Sequence, residues 1–397
     1  MARNRDIFSS KKNTSVPLTN SEPRLLGFLL GGIGRDPAAD TKYGLFFHAL
    51  SKRFNLVGCY DLSLQGYSRF LAATLNFHPN RRMWKERYYK NLYAFNQRSR
   101  NAIRIQNNLL GEVDFVIQVG VLFDSYWSKR PASNLIYTDY TARLSAISPY
   151  HFRSPLSGAK LTKWLDYESR AFQRAKHIFT RSEFVRKDIV ESYGISPEKV
   201  SAVGGGVNFA PFPAPKPPRP GKSPMFFFVG SEFMRKGGDL LLRAFALVRE
   251  LYPSACLRIL TRDPIPAFLP LENVEIIPYV WNRLKIRYFY EEADIFVLPA
   301  REETWGDVLL EAAAYGVPSI GVSGGVMDEV IKNGETGILI PREDVKTLAD
   351  AMIVLLKNAD LRTSYGIAAR KRAKSYFTWD QVVERMSTTI ESIFRKE

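Results

Sequence analysis

The chain has 397 residues, 45% of them hydrophobic and 24% charged, with a net charge of +16. That length exceeds one average domain, and the composition excludes a disordered or low-complexity chain, so two cored domains are expected. The two cysteines, Cys59 and Cys256, sit in apolar strand-like runs. They exclude a disulfide framework and read as buried thiols suited to a reducing compartment.

The charge is uneven. Residues 1–220 hold 33 Lys and Arg against 16 Asp and Glu, whereas the remainder holds 23 against 24. A basic first half fits an anionic partner (a membrane surface, a phosphorylated acceptor or nucleic acid) and fits equally a merely solvated face. Residues 1–23 form a polar tail without the apolar core of a secretory signal, and no apolar run is long enough to span a bilayer. The expectation is a cytoplasmic protein, with peripheral membrane contact open through the basic half.

In chain order, residues 24–210 carry the apolar runs RLLGFLLGG, FNLVGCYDL, DFVIQVG, NLIYTDYT, HIFTRS and KVSAVGGGV, separated by helical patterns. Continuous apolar strands between helices predict a parallel sheet buried on both faces. After the first run comes GGIGRDPAADTKYG, where Gly32 and Gly34, with Gly31, let backbone approach a ligand at a helix start. A tight turn with no ligand explains the glycines as well.

His78 to Arg100 alternates cations with Trp84, Tyr88, Tyr89, Tyr93 and Phe95. Three readings stand: a helix burying its aromatics, a face resting on anionic lipid, or a base-stacking surface. The proline-rich stretch Phe209–Pro224 marks a boundary, with the linker placed at 211–224.

Residues 225–375 repeat the pattern with MFFFVGS, ACLRILTR, VEIIPYV, DIFVLPA, PSIGV and TGILIP, and residues 376–397 read as a closing amphipathic helix. The fold class is therefore α/β, two doubly wound parallel-sheet, Rossmann-like domains facing a cleft, with ligands at the carboxyl ends of strands. Gly230, Ser231, Arg235 and Lys236 follow the first strand of this half, and Arg262 ends the second run. Two cations at a strand end suit a pyrophosphate, or are solvated loop charges.

The stretch REETWGDVLLEAAAYGVP holds Glu303 just before Gly306 and Glu311 inside an apolar helix beginning Gly306-Asp307-Val308-Leu309. Helix-start amides make an anion site, and a buried carboxylate needs hydrogen-bond partners. A ribose diol supplies two donors to Glu311, and sugar hydroxyls suit Glu303. Alternatively Glu303 caps the helix and Glu311 pairs with a nearby arginine.

Glu303 and Glu311 form E-x7-E followed by A-x-x-x-G-x-P, with Lys236 six residues after Gly230. This resembles the retaining GT-B glycosyltransferases of family 4, the group 1 family. SEFVRKDIVESYGISPEKVSAVGGGVN resembles that family's final first-domain helix and strand, and Trp379 the aromatic that starts its closing helix, which crosses back to the first domain. The resemblance implies retaining transfer of a hexose-type sugar from a UDP-, GDP- or ADP-linked donor to a glycan or lipid-linked acceptor. No nucleic-acid partner and no cofactor are implied. By similarity, Arg235 and Lys236 neutralise the diphosphate, Glu311 binds ribose, Glu303 holds the donor sugar, and the amides of Asp307, Val308 and Leu309 hold phosphates and sugar. Fixed charges then stabilise the departing diphosphate.

Three departures stand out. Ser231 replaces the family's arginine after the glycine, so Arg235 is expected to supply the missing cation. The family's His-Asp pair is represented by Asp139 alone, placed either to position the donor sugar or acceptor, or to stabilise its loop. Trp305 and Asp307 occupy places more often apolar. No D-x-D is present, and His48, His78, His151 and His177 do not cluster, so no metal site is expected. The alternatives are a GT-B-fold epimerase of nucleotide sugars, or a basic nucleic-acid-binding protein.

Overall fold

The computed structural model describes residues 22–109, 111–127, 132–148, 154–216, 224–278, 280 and 282–396. Most of the polar tail, His151 and part of the proline-rich linker lie outside the described residues. The chain divides into two compact units, Met1–Gly204 with Val382–Glu397, and Gly205–Gln381.

The first unit holds strands β1 (Arg24–Leu29), β2 (Asn55–Asp61), β3 (Phe115–Val119), β4 (Ser133–Thr138), β5 (His177–Thr180) and β6 (Val200–Ala202). They form one parallel sheet in the order β2-β1-β3-β4-β5-β6. Every residue of β3 is buried, as continuous apolar runs demand when helices cover both faces.

The second unit holds β7 (Met225–Val229), β8 (Cys256–Thr261), β9 (Val274–Pro278), β10 (Ile295–Val297), β11 (Ser319–Val322) and β12 (Gly337–Ile340). Its parallel sheet runs β12-β11-β10-β7-β8-β9. Phe226, Phe227 and Phe228 of β7 are fully buried at the centre of this core. Both sheets are doubly wound α/β sheets. Cys59 and Cys256 lie on β2 and β8, and each is half-buried rather than fully buried.

The expected boundary at residue 210 shifts to Gly204/Gly205. Val207 donates its N–H to the Phe377 carbonyl at 2.7 Å, and a Cβ on Gly206 would come within 2.4 Å of the Trp379 ring. The linker's first residues are anchored too. The Arg370 guanidinium lies 5.1 Å from the Phe212 ring centroid and donates to the Pro213 carbonyl at 2.5 Å. The closing helix is Trp379–Phe394, and its residues from Val382 belong to the first unit.

Candidate functional site

In the second sheet the strand order reverses between β7 and β10, which lie side by side with Phe226 opposite Ile295 and Phe227 opposite Phe296. The carboxyl ends of strands at such a reversal form the ligand crevice of a doubly wound sheet. The turn after β7 carries Gly230 to Gly238, and the loop after β10 carries Glu302 to Gly306.

Glycine shapes the first turn. Gly237 has φ +73°, and a Cβ there would meet the Pro299 carbonyl oxygen at 2.0 Å. Only glycine lets this turn sit against the end of the β10 run. Gly230 donates its N–H to the Leu260 carbonyl at 2.9 Å, and a Cβ on it would lie 2.9 Å from Lys236 Cβ. Half-buried Ser231 follows it. The turn thus delivers Lys236 to the β10 loop, where its Nζ pairs with Glu303 Oε2.

Glu303 has its other oxygen occupied as well, Oε1 accepting from the Thr304 N–H at 2.9 Å. Burial pushes the Glu303 carboxyl up, but Lys236 and Arg235 outweigh it and bring it down to about 2. The group is a carboxylate at any physiological pH. Gly306 then turns the chain at φ +97° into the helix Asp307–Ala314. The amides of Asp307 and Val308 lie in its first turn, where no intrahelical carbonyl precedes them. The Leu309 amide differs from expectation, because it donates to the Gly306 carbonyl at 2.9 Å.

Glu311 is buried one turn into this helix. Its Oε1 accepts from Arg283 Nη2 at 2.8 Å and its Oε2 from the Tyr290 hydroxyl at 2.9 Å. Burial raises its carboxyl, and Arg283 and Tyr290 oppose that. Arg283 also donates to the Asn208 carbonyl at 2.8 Å and lies over the Phe209 ring at 4.1 Å. The arginine pairing left open from the sequence is therefore what this structure contains. A carboxylate has about four acceptor sites, and Arg283 and Tyr290 occupy two of those on Glu311.

Arg235 also departs from expectation. It is 3% exposed, and its guanidinium is committed to Glu232 at 2.8 and 3.2 Å and to the Glu302 carbonyl at 2.7 Å. It braces the two loops rather than facing open space. Arg262 is exposed directly after β8. Trp305 is a core residue, 5.9 Å edge-on to Phe377.

In the first unit, Asp139 follows β4 and pairs with Lys42 at 2.6 Å. Around the glycine loop after β1, the Gly31 amide donates to Asp61 at 2.9 Å and the Gly34 amide to Asp40 at 3.1 Å. Those two donors are spent internally, and the Gly32 carbonyl accepts from the amides of Arg35 and Asp36. The loop has the contacts of a tight turn.

Within His78–Arg100, Phe95 is 1% exposed, Tyr88, Tyr89 and Tyr93 are half-buried, and half-buried Trp84 donates to the Ala73 carbonyl at 2.8 Å. Reading the sequence did not single out Lys42, Arg283, Tyr290 or Glu302. Only Glu302 carried a signal, as a second carboxylate next to Glu303.

Residues 212–372 match the model of the family described as Glycosyl transferases group 1. A D-inositol 3-phosphate glycosyltransferase of Kineococcus radiotolerans is 29% identical over 55% of this chain and 57% of its own length. One from Corynebacterium diphtheriae is 26% identical over 68% of this chain and 67% of its own length. The chain thus spans about three fifths of the length of these curated relatives. The crystal structure of a sucrose-phosphate synthase from Thermosynechococcus elongatus superposes with a TM-score of 0.68 at 17% identity, covering 95% of this chain and all of that one. The fold is that of the GT-B glycosyltransferases. The match to the group 1 glycosyltransferase family lies within the second unit.

Proposed function

We propose that the second unit binds a nucleotide-diphosphate sugar and that the chain transfers the sugar, with retained anomeric configuration, to an acceptor taken by the first unit. The observation that carries this is the Lys236–Glu303 pair at the strand-order reversal, next to a helix N-terminus that holds Glu311 one turn in. In this reading Lys236 neutralises the leaving diphosphate, with the amides of Asp307 and Val308 beside it. Arg235 acts through the loops it braces. Glu311 takes the ribose and Asp139 acts on the acceptor side. Lys236 fills the cation's role, so EDTA should leave turnover unchanged.

Incubation with UDP-, GDP- and ADP-glucose should release free nucleotide with at least one of them. An isomerised sugar would instead favour the epimerase, and no nucleotide binding by calorimetry would sink the reading. The acceptor is read as anionic, from the basic first half; inositol 3-phosphate, named in the relatives, is the first probe.

Peripheral membrane contact is favoured by one surface. Tyr67 and Phe70 on the helix Gly66–Leu75 are exposed, as are Leu75 and Phe77 at its end, with exposed Arg69, Arg81 and Lys85 alongside. Aromatics rimmed by cations suit an anionic lipid interface. Sedimentation with phosphatidylglycerol vesicles but not phosphatidylcholine vesicles, lost in Phe70→Ser, is the expected result. Indifference to lipid charge would refute it.

A further inference from the structure

Arg301, just before Glu302 and Glu303 on the loop after β10, reaches across to the turn that carries Lys236. Its Nη1 donates to the Met234 carbonyl and to Asp239 Oδ1, each at 2.6 Å, and its Nη2 to Asp239 Oδ2 at 2.9 Å. Its amide donates to the Arg235 carbonyl at 3.0 Å. One residue thus grips the turn on both sides of Lys236. Asp239 is buried in the first turn of the helix Gly238–Leu251, and a buried carboxylate keeps its charge only when it is paired. The guanidinium fork supplies that pairing in a fixed geometry.

A third loop joins from the end of β12. Arg342 donates to the Arg301 carbonyl at 2.6 Å, and Glu343 Oε1 accepts from Arg301 Nε at 2.8 Å. Glu343 has φ +57°. Asn273 is the other non-glycine residue at positive φ among the described residues; asparagine enters that region readily and glutamate does not. Glu343 is exposed, so core packing does not require a side chain there. A strained backbone that glycine would relieve is kept where its side chain has a task. Here that task is to hold Arg301 Nε.

We infer that Arg301 is a positioning residue for sugar transfer: its guanidinium, steadied by Glu343, sets Lys236 opposite Glu303. The inference rests on the nucleotide-sugar reading above. The guanidinium donates to protein groups through Nε, Nη1 and Nη2, so Arg301 acts through Lys236 and not on the substrate. A lysine at this position keeps a charge beside Asp239 but has no planar fork to reach Met234, Asp239 and Glu343 together.

The test compares full-length wild type, Arg301→Lys and Glu343→Gly, each also combined with Lys236→Met. The readouts are thermal denaturation, affinity for free nucleotide, and kcat and KM for nucleotide release from UDP-, GDP- and ADP-glucose. Glu343→Gly relieves the backbone and loses only a half-exposed ion pair, so it should melt no lower than wild type. Its kcat should nevertheless fall about 3-fold or more, with KM within about 2-fold of wild type. Arg301→Lys should lower kcat by roughly 10–100-fold. In the Lys236→Met background either change should add less than about 2-fold, because the group being positioned is already gone. Nucleotide affinity gives the same non-additivity should Lys236→Met turn over too slowly.

Arg301→Lys and Glu343→Gly enzymes with wild-type kcat overturn the assignment. So does a loss that multiplies in full with that of Lys236→Met, which marks a role independent of the lysine. A wild type that neither binds nor cleaves any nucleotide sugar instead removes the reading on which the assignment rests.

Discussion

Arg283 and Glu311 form an ion pair, 2.8 Å from guanidinium nitrogen to carboxylate oxygen, on the helix that starts at the strand-order reversal. Tyr290 completes the carboxylate's shell from the other side. The pair resolves how an apolar helix tolerates a buried acid: the acid comes with its own cation, drawn from the start of the helix Arg283–Glu292.

Truncating either partner should therefore cost stability. Arg283→Ala leaves Glu311 buried with one donor fewer, and is expected to cost about 1–3 kcal/mol, discounted because the arginine side chain is partly exposed. The double variant with Glu311→Ala should cost less than the sum of the singles. Strict additivity in urea denaturation would show the pair to be inert. Glu311→Ala should also weaken binding of free nucleotide by calorimetry; unchanged affinity counts against the ribose assignment.

The Lys236–Glu303 pair should separate binding from transfer. Glu303→Gln keeps shape and should lower kcat by about 10²–10³-fold with little effect on free-nucleotide affinity. Lys236→Ala should reduce both nucleotide affinity and turnover. A Glu303→Gln enzyme with wild-type kcat would remove Glu303 from the chemistry.

Two acids give opposite pH signatures. Glu303 titrates at about 2 against an ordinary 4.5, so its contribution to stability is complete above pH 4.5 and is lost as pH falls toward 2. Glu168 is buried, and burial raises it to about 7, despite hydrogen bonds from the Tyr193 hydroxyl and the Ala142 amide. Its folded form retains a proton that the unfolded chain gives up near pH 4.5. Stability from this group is thus present below 4.5 and declines as pH rises through 7. In melting curves across this range, Glu168→Gln should flatten the decline toward pH 7, and Glu303→Gln should flatten the loss in acid. Parallel curves for variant and parent would contradict both.

Gly237 offers a steric test. Gly237→Ala meets the Pro299 carbonyl and an unfavourable φ together, and should cost about 2–4 kcal/mol and displace Lys236. Gly324 has φ +85° with open space around its would-be Cβ, so Gly324→Ala should cost only about 1 kcal/mol. Equal melting points for the two would refute the close-packing argument.

The twelve strands among the described residues were legible because each is an apolar run bounded by polar residues, and runs such as FVIQV and MFFFV are buried on both faces. Their lateral order was not legible: nothing local in MFFFV says that it pairs with both ACLRILT and DIFV. The two glutamates were legible by their spacing, but the partner of Glu311 was not, since Arg283 arrives from a distant helix. The partner of Arg235 was legible in principle, because Glu232 stands three residues before it, a spacing at which an ion pair forms within the turn itself. In His78–Arg100, Phe95 is buried and Tyr88 and Tyr93 pack half-buried against a core cluster, as the hydrophobic effect favours.

The central place of β7 also bears on how the chain is made. On a ribosome, Met225–Val229 emerges and can pair with β8 soon afterwards, but its other edge waits until Ile295–Val297 has been synthesised. Through that interval three consecutive phenylalanines border an unfilled edge, a surface prone to aggregation. Nascent chains halted before residue 295 should therefore depend on chaperones more than chains released beyond β12.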